Sequence, residues 1–292
     1  MLDYHLHLWT HDDPTTWLSL EQIADYCEEA QRHGVDEIAI TEHIHRFSQA
    51  TDLVGRFWET TEGDPRLQAQ IASYIDWHTG QDLDAYVELC LAAKASGLPV
   101  KIGMEVDYYR GQMDEVAELL APYPFDVLLG SIHWIGGWQF DDLANQEQMA
   151  QWDVRDVDAC WDAYTEALEE LAATGACDVL AHPDLIKVNG RIPTNPTEWW
   201  DRIAEAAQAS GMAAEVSSAG WRKPVGEQYP ALPLLDRFVA AGVPLTTASD
   251  AHATDRVSDR SEDLEALLDA AGITTLASFE GRQRTDVPVR PS

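Results

Sequence analysis

Lysine is scarce in this 292-residue sequence: four of its 19 basic side chains are Lys, against 51 Asp and Glu, for a formal charge of −32. A surface this acidic repels phosphate backbones and anionic lipid headgroups over a Debye length, which argues against nucleic acid or a membrane as partner. Cysteine is sparse too. Cys27, Cys90, Cys160 and Cys177 contain no C-x-x-C pair, and three of them lie in helix-like stretches, as small buried hydrophobes do in a reducing compartment. No apolar run approaches the roughly 18 residues of a spanning helix, and no basic leader opens the chain, so a cytoplasmic location is expected. A Gly-rich phosphate turn is also missing: His5-Leu6-His7-Leu8-Trp9-Thr10 contains no glycine, which argues against a doubly wound dinucleotide fold.

What is present is ordinary globular material, 45% apolar and 24% charged, enough for one large core. Short apolar runs alternate with helical periodicity, the pattern of parallel strands joined by crossover helices. Seven strands are predicted, near Leu2 to Leu8, Glu37 to Thr41, Val100 to Asp107, Asp126 to His133, Asp178 to His182, Ala213 to Ser217 and Pro244 to Ser249. Helices are predicted after Ser19-Leu20-Glu21-Gln22, a capping box, and over 83–96, 113–120, 157–174, 197–210, 233–241 and 263–271. The expected architecture is a single α/β barrel domain over residues 1–292, with lid-like loop insertions at 44–80 and 134–156.

Six histidines, His5, His7, His43, His133, His182 and His252, fall at or just past predicted strand ends, together with Glu105 and Asp250. A barrel brings all C-terminal strand ends to one mouth, so these eight groups converge. His5 and His7, two apart on a strand, share a face. Eight imidazole and carboxylate donors exceed what one tetrahedral ion uses, which implies two or three divalent ions of zinc, iron or manganese. Such ions acidify a bound water to a pKa near 7 and neutralise phosphate oxygens. Among basic residues at the rim, Lys187, which follows the fifth strand, and Arg222 and Lys223, which follow the sixth, are candidates for holding a phosphate. Glu42 and Asp184 neighbour candidate ligands and are expected to orient them. His33 reads as a helix cap, and His45 and His78 as solvated or substrate-adjacent. Trp134, Trp138 and Trp221 are the candidates for stacking on a substrate ring.

The ordered series H-x-H, T-E-H, G-x-E, S-I-H, A-H-P and S-D-A-H resembles the polymerase and histidinol phosphatase (PHP) superfamily over residues 1 to about 255. Residues 179–190 (VLAHPDLIKVNG) and 214–230 (AEVSSAGWRKPVGEQYP) are similar to its monofunctional histidinol-phosphate phosphatase branch. The resemblance implies a distorted seven-stranded barrel and a trinuclear centre. His5, His7, Glu105 and Asp250 would hold the first ion, Glu105 would bridge to a second on His133 and His182, and His43 and His252 would hold the third. For the remaining ligand of that third site His11 is preferred over Asp13, which occupies the family's usual histidine position. The implied activity is a metal-dependent phosphomonoesterase acting on L-histidinol phosphate through a bridging hydroxide. The alternatives are another small phosphate ester or nucleotide as substrate, or a non-catalytic metal-binding domain. Oligomeric state is left open.

Overall fold

The structure is a computed structural model that describes residues 1–10, 18–54, 57 and 64–290. Seven parallel strands follow one another in chain order: β1 (Leu2–Leu6), β2 (Glu37–Ile40), β3 (Val100–Asp107), β4 (Val127–Ser131), β5 (Val179–Leu180), β6 (Ala213–Ser217) and β7 (Leu245–Ala248). The ends of the sheet meet where the Asp250 N–H donates to His5 O at 2.9 Å and the His7 N–H donates to Ala251 O at 2.8 Å. The sheet thus curls into a nearly closed barrel, and all the predicted strands are found. β5 is two residues long, so His182 lies in the loop beyond it.

Two glycines set how closely neighbouring parts approach. A Cβ on Gly103 would sit 2.6 Å from Thr41 Cγ2 and 3.0 Å from Ile40 O, so β2 and β3 could not pair as they do with a larger residue there. Gly130 in β4 is similarly pressed by Leu171 Cδ2 at 2.8 Å. Helices cover the outer faces. The first, Leu20–Arg32, starts at Ser19, whose side chain accepts the Gln22 N–H. The Gln22 amide does not close the capping box but donates to Leu8 O at 2.6 Å, tying the helix to the mouth of the barrel.

Two segments depart from expectation. The stretch 44–80, read as loop, contains the helix Pro65–His78, capped by Asp64 and burying Leu67, Ile71, Ile75 and His78 on one face. An Asp-Pro start and four-residue apolar spacing are helix signals, obscured by the polar and tryptophan-rich residues around them. Likewise 134–156 holds a short hairpin, Trp134–Ile135 with Trp138–Gln139, and the helix Gln146–Ala150. Beyond the barrel an antiparallel hairpin pairs Thr275–Glu280 with Gln283–Pro288, and the sequence reading contains neither strand. It packs under the N-terminal ends of the strands: the Arg282 backbone N–H donates to Asp126 O, and its guanidinium donates to Asp178 Oδ2 at 2.9 Å. Lys94 and Lys101, half of the lysines, reach Glu280 of this hairpin. Among the described residues no helix is long and apolar enough to cross a membrane.

Candidate metal centre

At the C-terminal mouth the eight predicted groups do converge. Glu105, fully buried in β3, stands at their centre. Its Oε2 lies 3.2 Å from His5 Nε2, 3.4 Å from His7 Nε2 and 2.8 Å from His43 Nδ1. Its Oε1 lies 3.2 Å from His182 Nε2 and 3.4 Å from His133 Nε2. Asp250 Oδ1 approaches His7 Nε2 at 3.6 Å and His5 Nε2 at 3.9 Å. The ring of His7 stacks between His43 and His252, with centroids 4.3 and 4.2 Å away. His182 and Asp250 turn into the mouth through positive φ, 27° and 52°, conformations that non-glycine residues hold at a cost of about 1–3 kcal/mol each and that cluster at functional sites.

The donors fit divalent ions. Atoms that share an ion at about 2.1 Å lie roughly 3.0–3.4 Å from one another, which is the spacing around Glu105. His5 Nε2 and His7 Nε2 are buried and make no hydrogen bond, as expected of lone pairs meant for an ion. Three-donor groups with atoms within 4.8 Å of one another are His5–His7–Asp250, His5–Glu105–His182, His7–His43–His252 and His43–Asp107–His133. The protonation tendencies agree. Burial pushes the His5 imidazole down, yet Glu215, Glu105 and Asp250 outweigh it and raise it well above its ordinary value. His133 is likewise raised, to about 10, because Glu105, Asp107 and Asp141 overcome its burial. The cluster therefore attracts positive charge. His43 goes the other way: burial lowers it, and the attraction of Glu105 does not compensate.

The sequence reading missed three carboxylates. Asp107, the last residue of β3, lies 2.5 Å from His133 Nδ1 and 3.3 Å from His45 Nδ1, and also accepts the Tyr109 hydroxyl. Glu215 in β6 faces His5 Nδ1 at 2.8 Å. Asp141, in the second insertion, lines the cavity, where burial pushes its carboxyl up to about 6 against the pull of His133 and Lys223. Asp107 and Glu215 carried a usable signal, since each lies on a core strand and shares a face with its neighbours two residues away.

The cavity over this cluster measures about 280 Å³. Arg222, Lys223 and Arg256 form its basic side, with Arg222 donating to Ser249 O at 2.6 Å and pairing with Asp259 Oδ2 at 3.3 Å. Lys187 does not line it. That ammonium is fully buried elsewhere, 2.9 Å from Asp184, 2.7 Å from Glu227 and 2.8 Å from Gln228 O, a structural knot that also occupies Asp184 and keeps it from orienting His182. Glu42 does sit behind His7, 3.7 Å from Nδ1, and accepts the Trp9 N–H while pairing with buried Arg46. Trp134 lines the cavity, as do Tyr74 and His45. Trp138 is instead buried and donates to Gln148 O, and Trp221 lies under the Arg260 guanidinium, so neither is placed for stacking on a substrate. His45 and His78 are buried, not solvated; His78 Nδ1 lies 2.7 Å from Tyr74 O. His33 caps its helix as expected, 3.3 Å from Glu29. His11 and Asp13 lie outside the described residues.

A barrel whose strands deliver imidazoles and carboxylates to one C-terminal mouth defines a metal-binding α/β-barrel protein. The PHP domain model matches residues 5–219, and the chain belongs to the PHP domain family. It is 33% identical over 181 residues to the "Probable histidinol-phosphatase" of Deinococcus radiodurans, covering 62% of this chain and 68% of that one. The histidinol-phosphatase of Lactococcus lactis subsp. lactis is 24% identical over 285 residues, 96% of this chain and 94% of the relative. The crystal structure of histidinol phosphate phosphatase from the same organism, complexed with Zn, L-histidinol and phosphate, superposes with a TM-score of 0.69 at 21% identity, covering 97% of this chain and 98% of the other.

Proposed function

We propose that this protein is a metal-dependent phosphomonoesterase that hydrolyses L-histidinol phosphate to L-histidinol and phosphate, a step of histidine biosynthesis. The observation that carries the reading is Glu105, whose two oxygens face two separate sets of imidazoles, the arrangement a bridging carboxylate needs. His5, His7, Glu105 and Asp250 would hold one divalent ion, and Glu105, His133 and His182 a second. His43 and His252 would hold a third, completed by His11 or Asp13. Zinc, iron and manganese all suit these ligands. When bound, such ions supply Lewis acidity and a water acidified to near neutral pKa. The chain's own contribution is to hold the ester for in-line attack. Arg222 presents its fork at the basic side, Lys223 and Arg256 add charge, and the resulting local field admits a phosphate into a protein of net charge −32. Tyr74, Trp134 and His45 give an aromatic wall suited to an imidazole ring.

The test is phosphate release from a panel of L-histidinol phosphate, nucleoside monophosphates and sugar phosphates after reconstitution with each metal. A preference of at least about tenfold in kcat/KM for L-histidinol phosphate, which needs only about 1.4 kcal/mol, is expected. Equal turnover across the panel points instead to a general phosphoesterase.

A further inference from the structure

We infer that Asp141 is a specificity-determining residue that binds a primary ammonium on the carbon next to the ester carbon of the substrate, so the site selects vicinal amino-alcohol phosphates. This rests on the phosphomonoesterase reading above.

Asp141 lines the cavity with its side chain 18% exposed, and its Oδ1 is buried without accepting a hydrogen bond. Of the other carboxylates around the mouth, Glu105 and Asp250 face the imidazoles of the proposed ion sites, Asp107 faces His133 and His45, Glu215 faces His5 and the His182 N–H, and Glu42 faces the Trp9 N–H and Arg46. For Asp141 the nearest ion-pair partner among the described residues is His133 Nε2, at 4.0 Å. None of the three-donor groups whose atoms lie within 4.8 Å of one another includes Asp141. A carboxylate oxygen buried without a hydrogen bond is costly unless a donor arrives from outside, and a cation in the cavity supplies one.

The position decides which cation. In a vicinal amino-alcohol ester the nitrogen and the ester oxygen are gauche or anti across one C–C bond, roughly 3–4 Å apart. With phosphate over the metal ligands, the ammonium is therefore held close to the donor cluster, where Asp141 stands beside His133. The ring, on the far side of the same carbon, is left to the aromatic wall. Asp141 also acts against the wrong ligand, since a fixed carboxylate in a phosphate-binding cavity repels esters that bring no nearby cation.

The test compares L-histidinol with its des-amino analogue, 3-(imidazol-4-yl)propan-1-ol, by calorimetric titration of the metal-loaded protein in the presence of inorganic phosphate. Wild type should prefer the amine by about tenfold or more. Asp141→Asn should lose most of that preference while keeping its affinity for the des-amino compound and its metal content. That unchanged affinity also shows that the variant is folded. An Asn variant that retains the preference, weakens both compounds equally or loses metal overturns the assignment. Amine preference without turnover of L-histidinol phosphate refutes the phosphatase reading and leaves the ammonium site standing; turnover without amine preference does the reverse.

Discussion

Glu215 holds His5 from behind: its Oε1 lies 2.8 Å from His5 Nδ1, while its Oε2 accepts the His182 backbone N–H at 2.9 Å. One buried carboxylate thus fixes two candidate ligands, from β1 and from the loop after β5. A proton held on Nδ1 leaves Nε2 as the donor atom facing Glu105, and the negative charge behind the ring raises its basicity. Glu215→Gln keeps the shape and removes the charge. It should weaken metal binding roughly 10–100-fold, read by metal content after dialysis against graded chelator. Unchanged metal retention would assign Glu215 to packing alone.

Arg222 is expected to hold the phosphate. Arg222→Ala should cost about 1.5–3 kcal/mol of transition-state binding, roughly 10–150-fold in kcat/KM, with Arg222→Lys recovering part of it. Equal kcat/KM in wild type and Ala variant would remove Arg222 from the site. Its partner Asp259, 3.3 Å away, holds the guanidinium against the cavity wall, so Asp259→Asn should show a smaller loss of the same kind.

Lys187 is expected to affect stability and not turnover. Its ammonium is enclosed by Asp184, Glu227 and Gln228 O, and removing one partner of a buried pair leaves an uncompensated charge, at a cost of about 3–5 kcal/mol. Lys187→Met should therefore lower the urea midpoint, while KM for the ester stays within about twofold of wild type. A large rise in KM with normal stability would return Lys187 to the substrate site.

How much of this was legible in the sequence follows from what each residue depends on. The barrel strands and the eight converging groups rest on local apolar runs and on a topological rule, that strand ends share one rim, and both survive reading in one dimension. Lys187 and Asp184 are different. Their role depends on Glu227 and Gln228, some forty residues away, and nothing in the run Asp184-Leu-Ile-Lys187 distinguishes a rim cation from a buried knot. The C-terminal hairpin was invisible for a related reason: Gln283–Pro288 is largely exposed and weakly apolar, and the hairpin is held at its turn, where Glu280 meets Lys94 and Lys101, the Gly281 N–H donates to Asp126, and Arg282 meets Asp178. Glu215 and Asp107 were readable as strand residues, but their acceptor role toward histidines is a cross-strand relation.

Metal removal should destabilise as well as inactivate. Burial penalises the Glu105 carboxylate, yet the imidazoles around it, with His5 and His133 the ones raised, hold it well below its ordinary value, so the metal-free mouth concentrates buried charge that bound ions would compensate. Chelated protein should lose phosphatase activity and unfold at a lower temperature, and both should return on adding Zn, Mn or Fe. Activity that survives complete metal removal would sink the assignment of the cluster.

The thiols provide a pH test away from the metal cluster. Burial pushes both Cys90 and Cys177 up to about 12, whereas an unfolded thiol titrates near about 8.5. Between those values the folded chain keeps protons that the unfolded chain has released. Stability from this source is complete below about pH 8.5 and is lost as pH rises toward the folded values, at up to about 1.4 kcal/mol per pH unit for each thiol. The urea midpoint should thus fall between pH 8.5 and 10, before most tyrosines of the unfolded chain ionise, and the slope should flatten in a Cys90→Ala, Cys177→Ala double variant. The same burial predicts that native protein resists a thiol reagent such as Ellman's at pH 8 and that all four cysteines react once denatured, since Cys27 and Cys160 are buried as well. Rapid labelling of Cys90 or Cys177 in the native state, or a midpoint that rises with pH over this window, would show that these thiols are not held in the apolar surroundings described.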